Sequence, residues 1–200
     1  IDSFIMSKPS RMLETFLNLS SNDLLKHLGV TCLETLIGFM LGTFLGAIVA
    51  ILLWWSKFLS KVSEPFLVVL NSLPKVALGP IIIIWVGANN TSIIVMALLI
   101  NLIVSLVGFY NGFINTDEYK IKLLKTMKAN KLQILTKLII PANLENILST
   151  LKLNISMSLI GVIMGEFLVS KKGIGYLILY GSQVFNLSLV ISGIFILCIV

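Results

Sequence analysis

Apolar runs about as long as a bilayer is thick alternate with short polar breaks along this chain. Crossing some 30 Å of hydrocarbon takes about 20 apolar residues in a helix. The first such run covers residues 29–55. Thr31 and Glu34 mark its start, no charge occurs from Ile37 to Leu53, and Trp54 and Trp55 close it as an interfacial belt. Residues 62–87 are apolar but carry Pro65, Pro74 and Pro80, which break a helix. Residues 91–113 and 147–169 are further spans, residues 177–185 read as a short re-entrant or interfacial helix, and residues 186–200 begin a last span. Residues 1–28 are mixed. Met12, Leu13, Phe16, Leu17 and Leu19 form a helical stripe suited to the membrane surface. The pattern predicts an all-α, polytopic transmembrane bundle, one domain over residues 1–200, with about five spans visible and room for six in the intact chain. Both ends read as cut. The chain opens at Ile1 without a basic leader and stops inside an apolar run.

The largest interruption, residues 115–141, lies between two spans. It carries Asp117 and Glu118 at its start, then Lys120, Lys122, Lys125, Lys128, Lys131 and Lys137. A lysine-rich stretch so close to membrane spans belongs on the cytoplasmic side. The acid-first order suits a helix dipole. Ile121, Leu124, Leu132 and Leu135 supply an apolar stripe for docking on a partner or on lipid. Ala129-Asn130 is the expected bend, and Pro141 ends the segment.

Composition agrees with the bilayer as solvent. The chain is 57% hydrophobic and only 12% charged, with mean hydropathy +1.01. A soluble domain has about 25% charged residues. The net charge of +6 comes largely from lysines between spans, so it reports orientation rather than nucleic-acid binding. Cys32 and Cys198 lie in or beside apolar runs without metal-ligand spacing and read as small hydrophobes.

Gly38, Gly42 and Gly46 recur every four residues, and Ala50 continues the row. Such a row is a flat helix face that lets another helix approach closely. The proline-broken run holds Asn71, Ser72 and Lys75. Broken helix is tolerated in a membrane only where its freed groups face protein or a water-filled cavity, so these residues are candidates for a substrate pathway. Lys75 could attract an anion there, or snorkel to an interface. Asn101 and Ser105 share a face of the next span and are read either as pathway residues or as interhelical glue. Glu166 is expected at the outer interface, where a carboxylate is cheap. No catalytic constellation, metal site or P-loop is present, so ATP would have to be hydrolysed by another chain. Gly173 and Gly175 are too few for a phosphate cradle.

The 115–141 segment also resembles a known signature. The cytoplasmic loop of bacterial ABC-importer permeases reads Glu-Ala-Ala, three residues, glycine, nine residues, then Ile-x-Leu-Pro. Anchored on Pro141, the pattern puts Leu138 and Ile140 at the apolar places, Lys128 at the glycine, and Lys122, Leu123 and Leu124 at the Glu-Ala-Ala places. Only the spacing and the apolar-proline ending survive. Other blocks follow in family order: Thr31 through Gly46, Ser72-Leu73-Pro74 through Trp85-Val86-Gly87, and Gly165-Glu166-Phe167 followed by Gly173 to Ile178. The chain is thus similar to the inner-membrane component of binding-protein-dependent importers, in the branch handling nitrate, sulfonates, taurine and thiamine-precursor pyrimidines.

The resemblance implies the type I importer permease (MetI-like) fold and a multi-pass place in the bacterial plasma membrane. It also implies a second permease copy, a cytoplasmic ABC ATPase that binds the ATP, and an extracytoplasmic solute-binding protein. Lys122, Leu123, Leu124, Lys128, Leu132 and Pro141 would couple to the ATPase. Two other readings fit parts of the pattern. An ion-coupled secondary transporter would need paired broken helices with ion ligands. A non-transporting scaffold with a basic docking loop would leave the proline-broken, polar segments unexplained.

Overall fold

Residues 24–199 are described by a computed structural model, and every regular element among them is helical. The amphipathic segment expected over residues 1–28 lies mostly outside them. Its last residues belong to the first helix, α1, which covers Leu24–Trp55. Thr31 and Glu34 are therefore not a boundary. They sit inside α1, and both are buried.

Helix α2 follows at Lys57–Ser72, its start capped by Ser56, whose hydroxyl accepts from the Leu59 amide at 3.3 Å. Pro65 lies inside it. Leu73-Pro74 stops it, a 3₁₀ turn covers Lys75–Leu78, and α3 runs over Gly79–Val86 with Pro80 in its first turn. The break expected from the prolines thus falls at Pro74, where the residue before a proline is driven to extended backbone. Helix α4 spans Asn90–Ile114.

The lysine-rich segment, residues 115–141, is two helices rather than one bent helix. Helix α5 covers Glu118–Thr126, capped by Asp117, which accepts from Tyr119 N at 2.8 Å. Helix α6 begins at Lys131–Ile134 with a reciprocal cap between Asn130 and Gln133, and continues through a π-turn, Leu135–Ile139, and a last turn, Ile140–Ala142. Helix α7 is Leu144–Val169, α8 Ile174–Gln183 and α9 Leu187–Ile199. Among the described residues, α1, α4 and α7 are long and apolar enough to cross a membrane. The broken pair Lys57–Ser72 and Lys75–Val86 makes at most a fourth crossing. The last expected run, read as the beginning of a span, is helical over the 13 residues of α9.

Contacts divide the chain into two units. Among the described residues, one comprises 24–38, Val76–Ala97 and 159–199. The other comprises Phe39–Lys75 and Leu98–Ser158. In the first, Gly161 and Gly165 of α7 lie against Ala97 and Ile93 of α4, where an added Cβ would come within 2.6 Å and 2.9 Å of the facing atoms. In the second, Ala50 and Leu53 of α1, Phe109 and Phe113 of α4, and Ile134, Leu135 and Ile139 form one apolar core. That core ties the lysine-rich segment to α1 and α4.

Candidate functional site: a polar cavity and its coupling segment

Helix α2 is amphipathic. Ser60, Glu64, Leu67, Val68 and Asn71 recur at helical spacing along one face, with Ser72 beside them. This face and the facing part of α4 enclose a cavity of about 570 Å³. Helix α4 contributes Val107, Tyr110, Asn111 and Ile114. The Ser60 hydroxyl and the Tyr110 phenol meet at 2.5 Å and fix one wall. A stripe carrying a carboxylate, an amide and hydroxyls is costly against lipid, so it belongs against protein or water.

Lys75 is one turn away and does not line the cavity. Its ammonium donates to the Asn71 carbonyl at 3.2 Å, closing the C-terminal end of α2. Ser72 donates to the Val68 carbonyl at 2.8 Å.

Asn101 and Ser105 lie elsewhere in the same unit, completely buried. The Asn101 amide donates to the Phe39 carbonyl at 2.9 Å and to the Thr43 hydroxyl at 3.1 Å. Its carbonyl accepts from Ser105 at 3.2 Å. Asn154 of α7 donates to Thr43 at 3.1 Å and to Ser105 at 2.6 Å. The glycine row explains why these side chains meet. Gly38, Gly42, Gly46 and Ala50 are all buried. A Cβ on Gly42 would come within 2.8 Å of the Asn101 amide, and one on Gly46 would collide with Ser105. The absent side chains make room for the polar knot. Asn154 is one of the residues that make the 147–169 run unusually polar for a lipid-facing helix, whereas Thr43 carries no signal in the sequence beyond following Gly42.

The lysine-rich segment presents one exposed face. Tyr119, Leu123 and Met127 are spaced by four and are 81%, 61% and 70% exposed. Lys122 stands beside them, paired with Glu118 at 3.3 Å, its ammonium 5.8 Å from the Tyr119 ring centre. Leu132 and Pro141 are exposed too. Of the apolar stripe expected to dock on a partner or on lipid, all but Leu132 is turned the other way. Ile121 and Leu124 pack against the core, and Leu135 is buried within it. Tyr119 and Met127 were missed because the eroded signature drew attention to Lys122, Leu123 and Leu124. Lys128, at the signature's glycine place, has φ +57°. That left-handed backbone is what glycine adopts without cost. Lys131 donates to the Trp55 carbonyl at 3.1 Å and so fastens the segment to the end of α1.

The outer loop corrects an expectation about Glu166. It is wholly buried rather than interfacial. It accepts from Thr31 at 2.6 Å and from the Gly175 amide at 2.6 Å. Thr31 also accepts from the Ile174 amide at 2.9 Å, and His27 accepts from Gly173 N at 2.9 Å. Gly173 has φ +105°, and a side chain there would strike the Glu166 carboxylate. The two glycines let a carboxylate take the start of α8. Among the described residues no group of three or more His, Cys, Asp or Glu side chains gathers at one place.

A family model described as "Binding-protein-dependent transport system inner membrane component" matches residues 42–200. A protein of Haemophilus influenzae named "Probable ABC transporter permease protein" is 34% identical over 172 residues, covering 86% of this chain and 70% of the relative. The formylaminopyrimidine transport permease protein ThiX of Halalkalibacterium halodurans is 28% identical over 173 residues, 86% of this chain and 69% of its own. In three dimensions the chain resembles the inward-facing MetNI methionine ABC transporter, with a TM-score of 0.77 at 18% identity over 88% of each chain. The fold is thus the MetI-like permease bundle expected from the sequence. The chain belongs to the family of binding-protein-dependent transport system inner membrane components: it is a multi-pass permease subunit of an ABC importer, related to the nitrate, sulfonate and taurine permeases.

Proposed function

We propose that two copies of this chain enclose a pathway for a small solute, and that the polar face of α2 forms its wall. The solute belongs to the nitrate, sulfonate, taurine or thiamine-precursor classes. A solute-binding protein delivers it from outside, and a cytoplasmic ABC ATPase supplies the energy. Asn71 and Ser72 are the pathway residues on this reading, with Ser60, Glu64, Tyr110 and Asn111. Lys75 holds the end of α2, and Asn101 and Ser105 hold helices together.

The ATPase docks on the exposed face of α5, with Lys122, Leu123, Lys128 and Leu132 among its contacts. Leu124 and Pro141 serve that surface from behind and from its end. The observation that carries this reading is the exposed row Tyr119, Leu123 and Met127 on a lysine-rich segment. Large side chains of this kind, ringed by lysines, suit a groove on a soluble partner. Behind the row, Ile134, Leu135 and Ile139 are part of the core that holds α1 and α4. A rigid push on α5 reaches the membrane helices through that core.

Purification of the intact chain in mild detergent tests the docking. A stoichiometric P-loop ATPase co-purifies, and Leu123→Asp releases it without lowering the melting temperature. A homo-oligomer that carries no ATPase even after gentle crosslinking contradicts the proposal.

A further inference from the structure

The polar cavity has one charged group on its wall. Glu64 stands on the α2 stripe one turn from Ser60 and one turn from Val68. It is exposed and makes no ion pair among the described residues. The lysines of α2 and its end do not line the cavity: Lys57 and Lys61 are absent from its wall, and Lys75 is engaged with the Asn71 carbonyl. The remaining polar groups are hydroxyls and amides. The Tyr110 phenol and the Ser60 hydroxyl are already paired with each other, and the Ser72 proton is given to Val68. What is left to meet a solute is the pair of side-chain amides of Asn71 and Asn111, which both donate and accept, and one full charge, which is negative.

From this we infer that the cavity selects by charge: Glu64 favours a neutral or cationic nitrogenous solute that donates hydrogen bonds, of the aminopyrimidine kind, and opposes anions such as nitrate or a sulfonate. The inference rests on the reading of this cavity as the solute pathway. A carboxylate on a concave, partly apolar wall raises the local concentration of cations and lowers that of anions, an effect that salt screens. An anion would meet repulsion with no cation on the wall to offset it. A ring bearing amino groups would find acceptors at Glu64 and at the side-chain carbonyls of Asn71 and Asn111, and Tyr110 beside it.

The test uses the full chain in proteoliposomes with Cys32 and Cys198 replaced by alanine and a single Val68→Cys. The new thiol is about 6 Å along the helix from Glu64. It is treated with methanethiosulfonates bearing a trimethylammonium or a sulfonate. The expected result is modification by the cationic reagent about tenfold faster than by the anionic one, relative to a free thiol. Glu64→Gln brings the two rates to within about twofold, which is the free-thiol behaviour. A preference that is absent, or that survives Glu64→Gln, overturns the inference and leaves the pathway reading standing. A thiol at position 68 that neither reagent reaches overturns the pathway reading, and the inference with it. A second readout comes from the complete importer with its ATPase and binding protein. Sustained ATP-driven uptake of nitrate, or of an alkanesulfonate that carries no amino group, would overturn the inference while supporting the pathway.

Discussion

Two sets of polar side chains on membrane helices look alike in composition and differ in what surrounds them. The knot of Thr43, Asn101, Ser105 and Asn154 is buried, and its members bond to one another across three helices. The stripe of Ser60, Glu64, Asn71 and Ser72 on α2 lies along an open cavity, with Asn71 and Glu64 exposed. In lipid every polar group needs a partner, so a polar residue either finds one on a neighbouring helix or keeps one in water. The knot takes the first course and the stripe the second. The difference is set by the opposing helix. Where α1 offers Gly42 and Gly46, the backbones close and a side chain fits into the space. Where α2 faces α4, bulkier residues hold a gap.

The comparison breaks first at Gly46. Gly46→Leu puts a side chain where Ser105 already sits. Overpacking of this kind costs on the order of 3 kcal/mol, so the variant should fail to purify as a stable complex, or should melt many degrees lower in detergent. Asn101→Ala keeps the close approach but removes bonds to Phe39 and Thr43. Interhelical hydrogen bonds in membranes are worth about 0.6 kcal/mol each and up to about 1.7, so the loss should be about 1–2 kcal/mol in an unfolding titration. Asn71→Ala should do the opposite. Melting should stay within about 0.5 kcal/mol of the parent, as for an exposed site, while ATP-driven uptake falls about fivefold, the worth of one hydrogen bond to the solute. Loss of stability at Asn71, or loss of uptake alone at Asn101, would invert the comparison.

The smallest effect sharpens the same point about fit. Lys128 occupies a left-handed backbone that costs a side-chain-bearing residue about 1–2 kcal/mol, and part of that is returned as entropy of the unfolded chain when glycine replaces it. Lys128→Gly should therefore raise stability by about 0.5 kcal/mol, seen as a small upward shift in melting.

Much of this was legible in the sequence. The spans followed from runs of about 20 apolar residues, the broken segment from Pro74 and Pro80, and the close helix approach from Gly38, Gly42 and Gly46. Which way α5 faced was not legible. Leu123 and Leu124 are adjacent and equally apolar, and only the packing of Ile134 and Ile139 behind the segment turns Leu124 inward. The burial of Glu166 was hidden for a related reason. Its partners, Thr31 and the amide of Gly175, are brought to it by tertiary packing and by a positive φ at Gly173, not by local sequence. Lys128 stands at the signature's glycine place and has the left-handed backbone that glycine adopts without cost. The spacing to Pro141 records the geometry better than the residue does.

The most direct measurement compares thiols in the two polar sets. In a background of Cys32→Ala and Cys198→Ala, Asn71→Cys and Ser105→Cys are each exposed to an uncharged, water-soluble maleimide in membranes. The cavity reading predicts ready modification at position 71 and protection at position 105 until the protein is unfolded. Equal protection at both, or modification at 105 ahead of 71, would contradict it.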